Sequence, residues 1–335
     1  MVVLVVRRLL FLLVVLLGIS ILTFMLAHVV PTDPARLLAG PHATPQQVAE
    51  IRHRYGLDRP LPLQYLSYIG GVAHGDLGIS LHTQRSVGAD LSQFLPATIE
   101  LSIAALLIAV ALGILLGTLA ALRPHSWLDN AVTILTLTGA AMPAFWLGLL
   151  TQWIFYDILG VFPAGGRLDP GVSGPPRVSG LYTIDSLLAG RLDLFASTLW
   201  HLALPAAVLA YGSLAVIARM VRGSLLEAMY QDYTRVARAK GLSHLTVVTR
   251  HALRNSLMPT ITIVGLQSGY LLSGAILVET VFSWPGLGQY MAQSILAADY
   301  TPILGITLVI ALIYVLLNTV VDVTYAAADP RVRYG

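Results

Sequence analysis

An all-α fold that crosses a membrane about six times is predicted by three observations. The first is composition: of 335 residues, 56% are hydrophobic and 11% charged, with a mean hydropathy of +0.76. Soluble domains are not that apolar, because a large surface has to face water. The second is the gathering of the apolar residues into six runs, near Leu9–Ala27, Pro96–Leu122, Ala131–Ile158, Ser197–Val221, Leu257–Phe282 and Pro302–Tyr325. Each is about the length, ~20 residues, that a helix needs to cross ~30 Å of hydrocarbon. The third is the placement of Lys and Arg. With both termini inside, twelve of the twenty cations fall in short inner segments or at inner helix ends, and eight are spread over the outer loops. Short basic segments stay on the cytoplasmic side, so this orientation is the expected one.

The chain divides accordingly into an N-terminal segment with the first span (1–30), an extracytoplasmic region (31–95) and a five-helix core (96–335). Arg7 and Arg8 precede nineteen uncharged residues. A signal peptide also begins with basic residues, but its apolar part is usually ~7–15 residues long. Five further spans follow, so Leu9–Ala27 is expected to stay as a helix. In the outer region, Thr44-Pro45-Gln46-Gln47 combines an N-cap, a first-turn proline and a capping-box glutamine. Val48, Ile51 and Tyr55 then recur on one face and Gly56 ends the helix; a second short helix is expected over Leu63–Ile69. Gly113 and Gly117 have the spacing that lets two membrane helices approach closely. Pro143 and Pro205 each deprive a carbonyl of its helical partner. Gly265, Gly269 and Gly274 thin one side of the fifth span, which suits a translocation path or close packing alike. The loop Phe162–Arg191 is rich in Gly and Pro and reads as irregular outer structure.

The longest polar run between two apolar ones is Asp232–Pro259, overlapping a cytoplasmic segment taken as 222–256. It holds five cations, Arg235, Arg238, Lys240, Arg250 and Arg254. Its pattern is two short helices joined at a glycine. The first ends at Ala239-Lys240 with Gly241 as a left-handed cap; Ser243 caps the second, and Pro259 opens the next span. Leu245, Val248 and Ala252 are expected to share a face of the second helix. From the residues alone, the segment is either an interfacial helix on anionic headgroups or a docking surface.

Most catalytic chemistry is missing. There is no cysteine, no G-x-x-x-x-G-K-S/T loop, no H-E-x-x-H and no G-x-S-x-G, and nine histidines are scattered. No metal, cofactor or nucleic acid is expected, and the chain is not read as an enzyme. Glu100 and Glu279 lie toward outer span ends and Asp322 toward an inner one. An ion-coupled secondary transporter would need an acidic relay at mid-membrane, and an intramembrane hydrolase a catalytic pair there; the spans show neither.

The segments YTRVARAKGL and HALRNSLMP resemble the cytoplasmic coupling loop of bacterial ABC-importer permeases of the dipeptide and oligopeptide branch. HVVPTDPARLLAG, RYGLDRPLPLQY, GDLGIS, PAGGR, LYTIDSLLAG and VETVFSWPGLGQ are similar to that family in the same order. Arg235, Val236 and Ala237 stand where the general importer pattern has Glu-Ala-Ala, with Gly241 as its glycine, and Thr32 stands where glycine is more usual. The resemblance implies a type I ABC-importer permease fold in the bacterial inner membrane, one of two homologous subunits sharing a pathway for dipeptides or oligopeptides, or else nickel or glutathione. It implies two ATP-binding subunits that carry out hydrolysis, an extracytoplasmic binding protein, and surrounding lipid. It assigns ATPase coupling to Tyr233, Arg235, Ala237, Arg238, Ala239, Lys240, Gly241 and Leu242. Beside the thinned fifth span, Glu279, with Gly269 and Ser273, is expected either to face the substrate path and meet a cationic group or simply to reach the membrane interface.

Overall fold

The computed structural model describes residues 2–29, 34–40, 43–54 and 56–328. Tyr55, Arg331 and Arg333 lie outside the described residues, as does the Asp322 side chain. The helices are α1 (Val2–Val29), α2 (Pro34–Ala39), α3 (Pro45–Arg54), α4 (Leu61–Ala73), α5 (Val87–Leu122), α6 (Trp127–Ala141) and α7 (Ala144–Gln152). They continue with α8 (Tyr182–Leu188), α9 (Leu192–Tyr230), α10 (Asp232–Ala239), α11 (His244–Thr246), α12 (Leu253–Val281), α13 (Leu287–Leu296) and α14 (Tyr300–Ala328). Two wider π-helical stretches, Trp153–Ile158 and Val247–Ala252, extend α7 and join α11 to α12.

Among the described residues, four helical stretches are long and apolar enough to cross a membrane: α5, α9, α14 (over Tyr300–Val321) and the continuous His244–Val281. A fifth span is the pair Trp127–Gly139 and Ala144–Ile158, bent by 108° where Pro143 breaks it. The first expected span lies in α1, whose 28 residues carry the apolar stretch Leu10–Met25. At ~1.5 Å per residue that stretch is about 24 Å long, shorter than the ~30 Å of hydrocarbon.

The chain forms two compact units. One comprises residues 1–95 and 287–315. Its core is Val87, Leu91, Leu287, Tyr290 and Ile306. The phenol of Tyr290 stacks on Phe94 and donates to buried Asp90 at 2.8 Å, and Thr83 donates to the same carboxylate oxygen at 2.6 Å. Ser80, at the end of GDLGIS, donates to buried Asp299 at 2.7 Å, which fixes that turn. The expected capping box is present: the Thr44 amide donates to Gln47 Oε1 at 2.8 Å and the Gln47 amide to Thr44 Oγ1 at 3.3 Å. Val48 and Ile51 are half-buried, and Gly56 ends the turn with φ +65°. The second short helix, α4, is longer than expected at both ends.

The other unit comprises residues 96–286 and 316–335. Its axis is α9, 72% buried over its most apolar stretch, against 28–39% for the other single spans. That gap leaves the outer faces of the remaining spans, such as Leu107 and Leu115 on α5, for lipid or partner chains. Gly113 and Gly117 do bring α5 onto α9, as their spacing predicts. A Cβ on Gly117 would run into the Ala218 carbonyl and Val221, and one on Gly113 into Ile217. Gly117→Val is therefore expected to overpack this contact, at a cost of ~1–3 kcal/mol, and to lower the melting temperature in detergent. Gly223→Val, where a Cβ meets nothing within 4 Å, should leave it close to wild type.

Three expectations are corrected here. Pro96 and Pro259 do not open their spans but lie inside α5 and α12. The first-turn preference of proline had placed Pro259 at a helix start. A membrane helix tolerates internal proline where neighbouring groups satisfy the freed carbonyl. The helix that carries the second span therefore starts at Val87, ahead of the apolar run. The second short helix of the cytoplasmic segment is not separate either, because α11 runs through the π turn into α12. The π turn rotates the side chains, so Val247, Val248 and Ala252 are buried while Leu245 is 68% exposed.

Candidate functional site

The segment between α9 and α11 is short, because α9 continues as one helix to Tyr230. Gln231 breaks the helix in an extended conformation, and α10 begins at once. Thr234 turns inward and donates its hydroxyl to the Gln231 carbonyl at 2.6 Å and to the Met229 carbonyl at 3.0 Å. Ala237 is also buried. Beneath this segment lies a small cluster of Ala121, Leu225, Ala228 and Ala252. The opposite face of α10 presents Tyr233, Arg235, Val236 and Arg238, followed by Ala239, Lys240, Gly241 and Leu242, all exposed. Arg238 reaches back to the Met229 carbonyl at 3.3 Å, at the C-terminal end of α9 where a cation is favoured. Arg235 pairs with Asp232 at 3.5 Å in full exposure, a contact worth little to stability.

The glycine cap predicted from sequence is present. Gly241 has φ +78°, with its amide donating to the Arg238 carbonyl at 2.9 Å and the Leu242 amide to the Ala237 carbonyl at 3.4 Å. Ser243 then caps α11 by accepting from the Thr246 amide. The eight residues assigned to coupling thus form one continuous cap and helix, seven of them on the outside and Ala237 against the core.

Sequence reasoning missed what anchors this region. Arg222 on α9 grips Asp129 on α6 with two parallel bonds, Nε to Oδ1 at 2.5 Å and Nη2 to Oδ2 at 2.8 Å. Asp129 also accepts from the His125 amide at 2.9 Å. The motif Ser126-x-x-Asp129 is a readable helix start, with Ser126 accepting from the Asp129 amide. Nothing local signals its partner 93 residues away.

A second buried network was also missed. Arg167, from PAGGR, donates Nη2 to Glu100 Oε2 at 2.5 Å and to the Gly180 carbonyl at 3.0 Å. Its guanidinium lies 3.5 Å from the centre of the Tyr182 ring. The other Glu100 oxygen accepts from the Thr183 amide and hydroxyl at 2.7 and 2.8 Å. Nearby, Asp185 collects the Val178, Ser179 and Gly180 amides and the Ser179 hydroxyl. Burial pushes the Asp185 carboxyl up, but these bonds outweigh it and hold the group below its usual range.

The residues expected on the substrate path are not brought together. Ser273 is exposed, whereas Gly269 and Glu279 are buried. Glu279 is 0% exposed, accepts from the Thr98 hydroxyl at 2.6 Å, and packs so closely on Gly286 that a Cβ there would strike its carboxylate. Its surroundings are those of a clasp for the turn after α12, since Trp284 next to it donates its indole N–H to the Ala97 carbonyl at 2.8 Å. The Glu279 carboxylate is thus enclosed by this chain's own residues. Gly265 serves packing, because a Cβ there would run into Val321.

The described residues thus make an all-α, multi-pass membrane chain that presents an exposed helical cap between two long apolar helices. The chain belongs to the family of binding-protein-dependent transport system inner membrane components: that family's model matches residues 113–334, and a model for the N-terminal part of such components matches residues 1–102. It is 46% identical over 318 residues to the probable D,D-dipeptide transport system permease protein of Escherichia coli strain K12, covering 95% of this chain and 94% of that one. It is 45% identical over 329 residues to the di/tripeptide transport system permease protein of Pseudomonas aeruginosa strain UCBPP-PA14, covering 98% of each. It is 39% identical over 331 residues to the glutathione transport system permease protein of Salmonella choleraesuis strain SC-B67, again covering 98% of each.

Proposed function

We propose that this chain is one of two membrane subunits of an ATP-binding-cassette importer for dipeptides, and forms half of a pathway that opens alternately to each side of the inner membrane. One observation carries the reading. The cap formed by α10 and Gly241 is anchored on its inner side and offers apolar and cationic side chains, Tyr233, Val236, Leu242, Arg235 and Lys240, on its outer side. Tyr233 and Val236 lie on one side of α10 and Arg235 and Arg238 on the other, both sides exposed, and membership of a family of binding-protein-dependent transport components favours a protein cleft over lipid as what covers them.

The mechanical consequence follows from continuity. Thr234 and Ala237 seat α10 on the end of α9 and on the π turn that leads into α12. A displacement of α10 by an ATP-binding subunit therefore pushes on two helices that run without interruption through the apolar region. Arg222 and Asp129 tie the same end of α9 to α6, so three spans move together. ATP binding and hydrolysis belong to the separate subunits, and an extracytoplasmic binding protein delivers the peptide. Dipeptides are the preferred substrate because dipeptide systems figure in the names of the more similar relatives. The glutathione relative supports a second substrate reading on the same scaffold.

The orientation has both termini cytoplasmic and α10 on the ATP side. The absence of native cysteine allows a direct test. A cysteine replacing exposed Ser67 should react with an impermeant maleimide in spheroplasts, and one replacing exposed Ser243 only after permeabilisation. Labelling of Ser243→Cys in sealed spheroplasts would reverse the assignment. Co-purification of the intact chain with its ATP-binding subunit tests docking itself.

A further inference from the structure

The break between α6 and α7 adjoins two pockets, about 520 Å³ and 230 Å³, that share Met142, Leu147, Val208 and Tyr211 as lining. None of the residues lining either pocket carries a charge. The site lies deep along its helices. Tyr211 stands at the midpoint of α9, Gln267 at the midpoint of α12, and Pro143 halfway along the bent span.

The smaller pocket has hydrogen-bonding groups that the chain does not use. Pro143 has no N–H, so the Gly139 carbonyl four residues earlier loses its helical donor. That carbonyl lies beside Gly212, another lining residue. The Gln267 side chain accepts from Ser213 at 2.8 Å through Oε1, while its amide N–H groups have no partner among the described residues. The Tyr270 hydroxyl likewise makes no hydrogen bond among the described residues, and the side chain is 58% exposed. Tyr211, by contrast, is engaged, donating to the Leu135 carbonyl at 3.0 Å. Unpaired donors and acceptors at mid-membrane depth are costly against lipid and are retained where they line a path.

We propose that this pocket is the chain's own contact with the moving substrate, and that it recognises the main-chain amide of a peptide rather than its charges. The inference rests on the importer reading above. Gln267 donates to the peptide carbonyl, while the Gly139 carbonyl and the Tyr270 hydroxyl accept from the peptide N–H. An uncharged lining neither selects nor traps a substrate by the sign of its side chains. Passage is thereby indifferent to side-chain charge at this point, and any such selection falls to other parts of the system.

The test uses the complete importer in proteoliposomes with ATP, and three dipeptides bearing an acidic, a neutral and a basic side chain. Gln267→Leu should lower uptake of all three about tenfold, the scale of one lost hydrogen bond, with the ATP-binding subunit still associated. Gln267→Glu keeps the shape and adds a charge, and should favour the basic over the acidic peptide by about tenfold. Gly212→Ala fits with only ordinary contact to the Gly139 oxygen and improves helix propensity. It should leave the melting temperature unchanged or higher while lowering uptake of all three peptides. Wild-type uptake by Gln267→Glu without discrimination would overturn the proposal. So would a Gln267→Leu variant whose melting temperature falls but whose uptake does not, the behaviour of a packing site for the other membrane subunit. Absence of ATP-driven dipeptide uptake by the wild-type complex would instead remove the importer reading on which the proposal stands.

Discussion

Arg167→Met should all but abolish recovery of folded chain, and Glu100→Gln should do nearly the same. Each substitution leaves one charge of a buried pair without its partner. The side chains of Arg167 and Glu100 are 7% and 3% exposed, so neither can turn to water. Breaking such a pair from one side typically costs ~3–5 kcal/mol, a large share of the ~5–15 kcal/mol that holds a domain folded. The loss should appear as a fall in monodisperse yield and in melting temperature in detergent. Combining the two substitutions removes both charges, and Gln can still accept from the Thr183 amide and hydroxyl that Glu100 now satisfies. The double variant should therefore recover most of the lost stability, because removing both members of a buried pair is far milder than removing one. Single variants that melt like wild type, or a double variant as poor as the sum of the singles, would show that the pair does not hold the 162–191 loop against α5.

Gly241→Val should uncouple the importer while leaving the chain in the membrane. A Cβ at Gly241 meets nothing within 4 Å, so the effect comes from the backbone alone. At φ +78° an L side chain is strained by roughly 1–2 kcal/mol, and β-branching adds to this. Relief of that strain would rotate α11 relative to α10 and spoil the cap presented to the partner. The expected result is wild-type membrane content, weak co-purification with the ATP-binding subunit, and uptake reduced about tenfold, as ~1.4 kcal/mol implies. Asparagine tolerates the left-handed region, so Gly241→Asn should restore much of both. Wild-type association and uptake in Gly241→Val would remove the coupling role from this segment.

What the sequence made legible was local. The cap at Gly241, the Ser243 start and the Thr44–Gln47 box depend on residues within one helical turn, and all three are present. The spans were legible because hydropathy integrates over ~20 residues. The helix start at Pro259 was misplaced because the first-turn rule is calibrated on helices in water. Leu245 was misassigned because a π turn breaks the 3.6-residue period on which the face was read.

The anchors of the site were illegible for a different reason. Arg167 and Glu100 are 67 residues apart, and Arg222 and Asp129 are 93 apart. No periodicity links such positions. The glycines of α12 had two readings from sequence, and only the close contact with Val321 decides for packing at Gly265. Glu279 looked functional because acidic residues near spans are rare. Its bond to Thr98 and its place against Gly286 give the carboxylate a structural reason to be there.

The most direct measurement of the account is uptake of a labelled dipeptide into proteoliposomes containing this chain, its partner membrane subunit and the ATP-binding subunits. ATP belongs on the α10 side and the binding protein on the other. Accumulation should require ATP and the binding protein together, proceed without any ion gradient, and fall with Gly241→Val. Accumulation driven by a proton or sodium gradient in the absence of ATP would contradict the account.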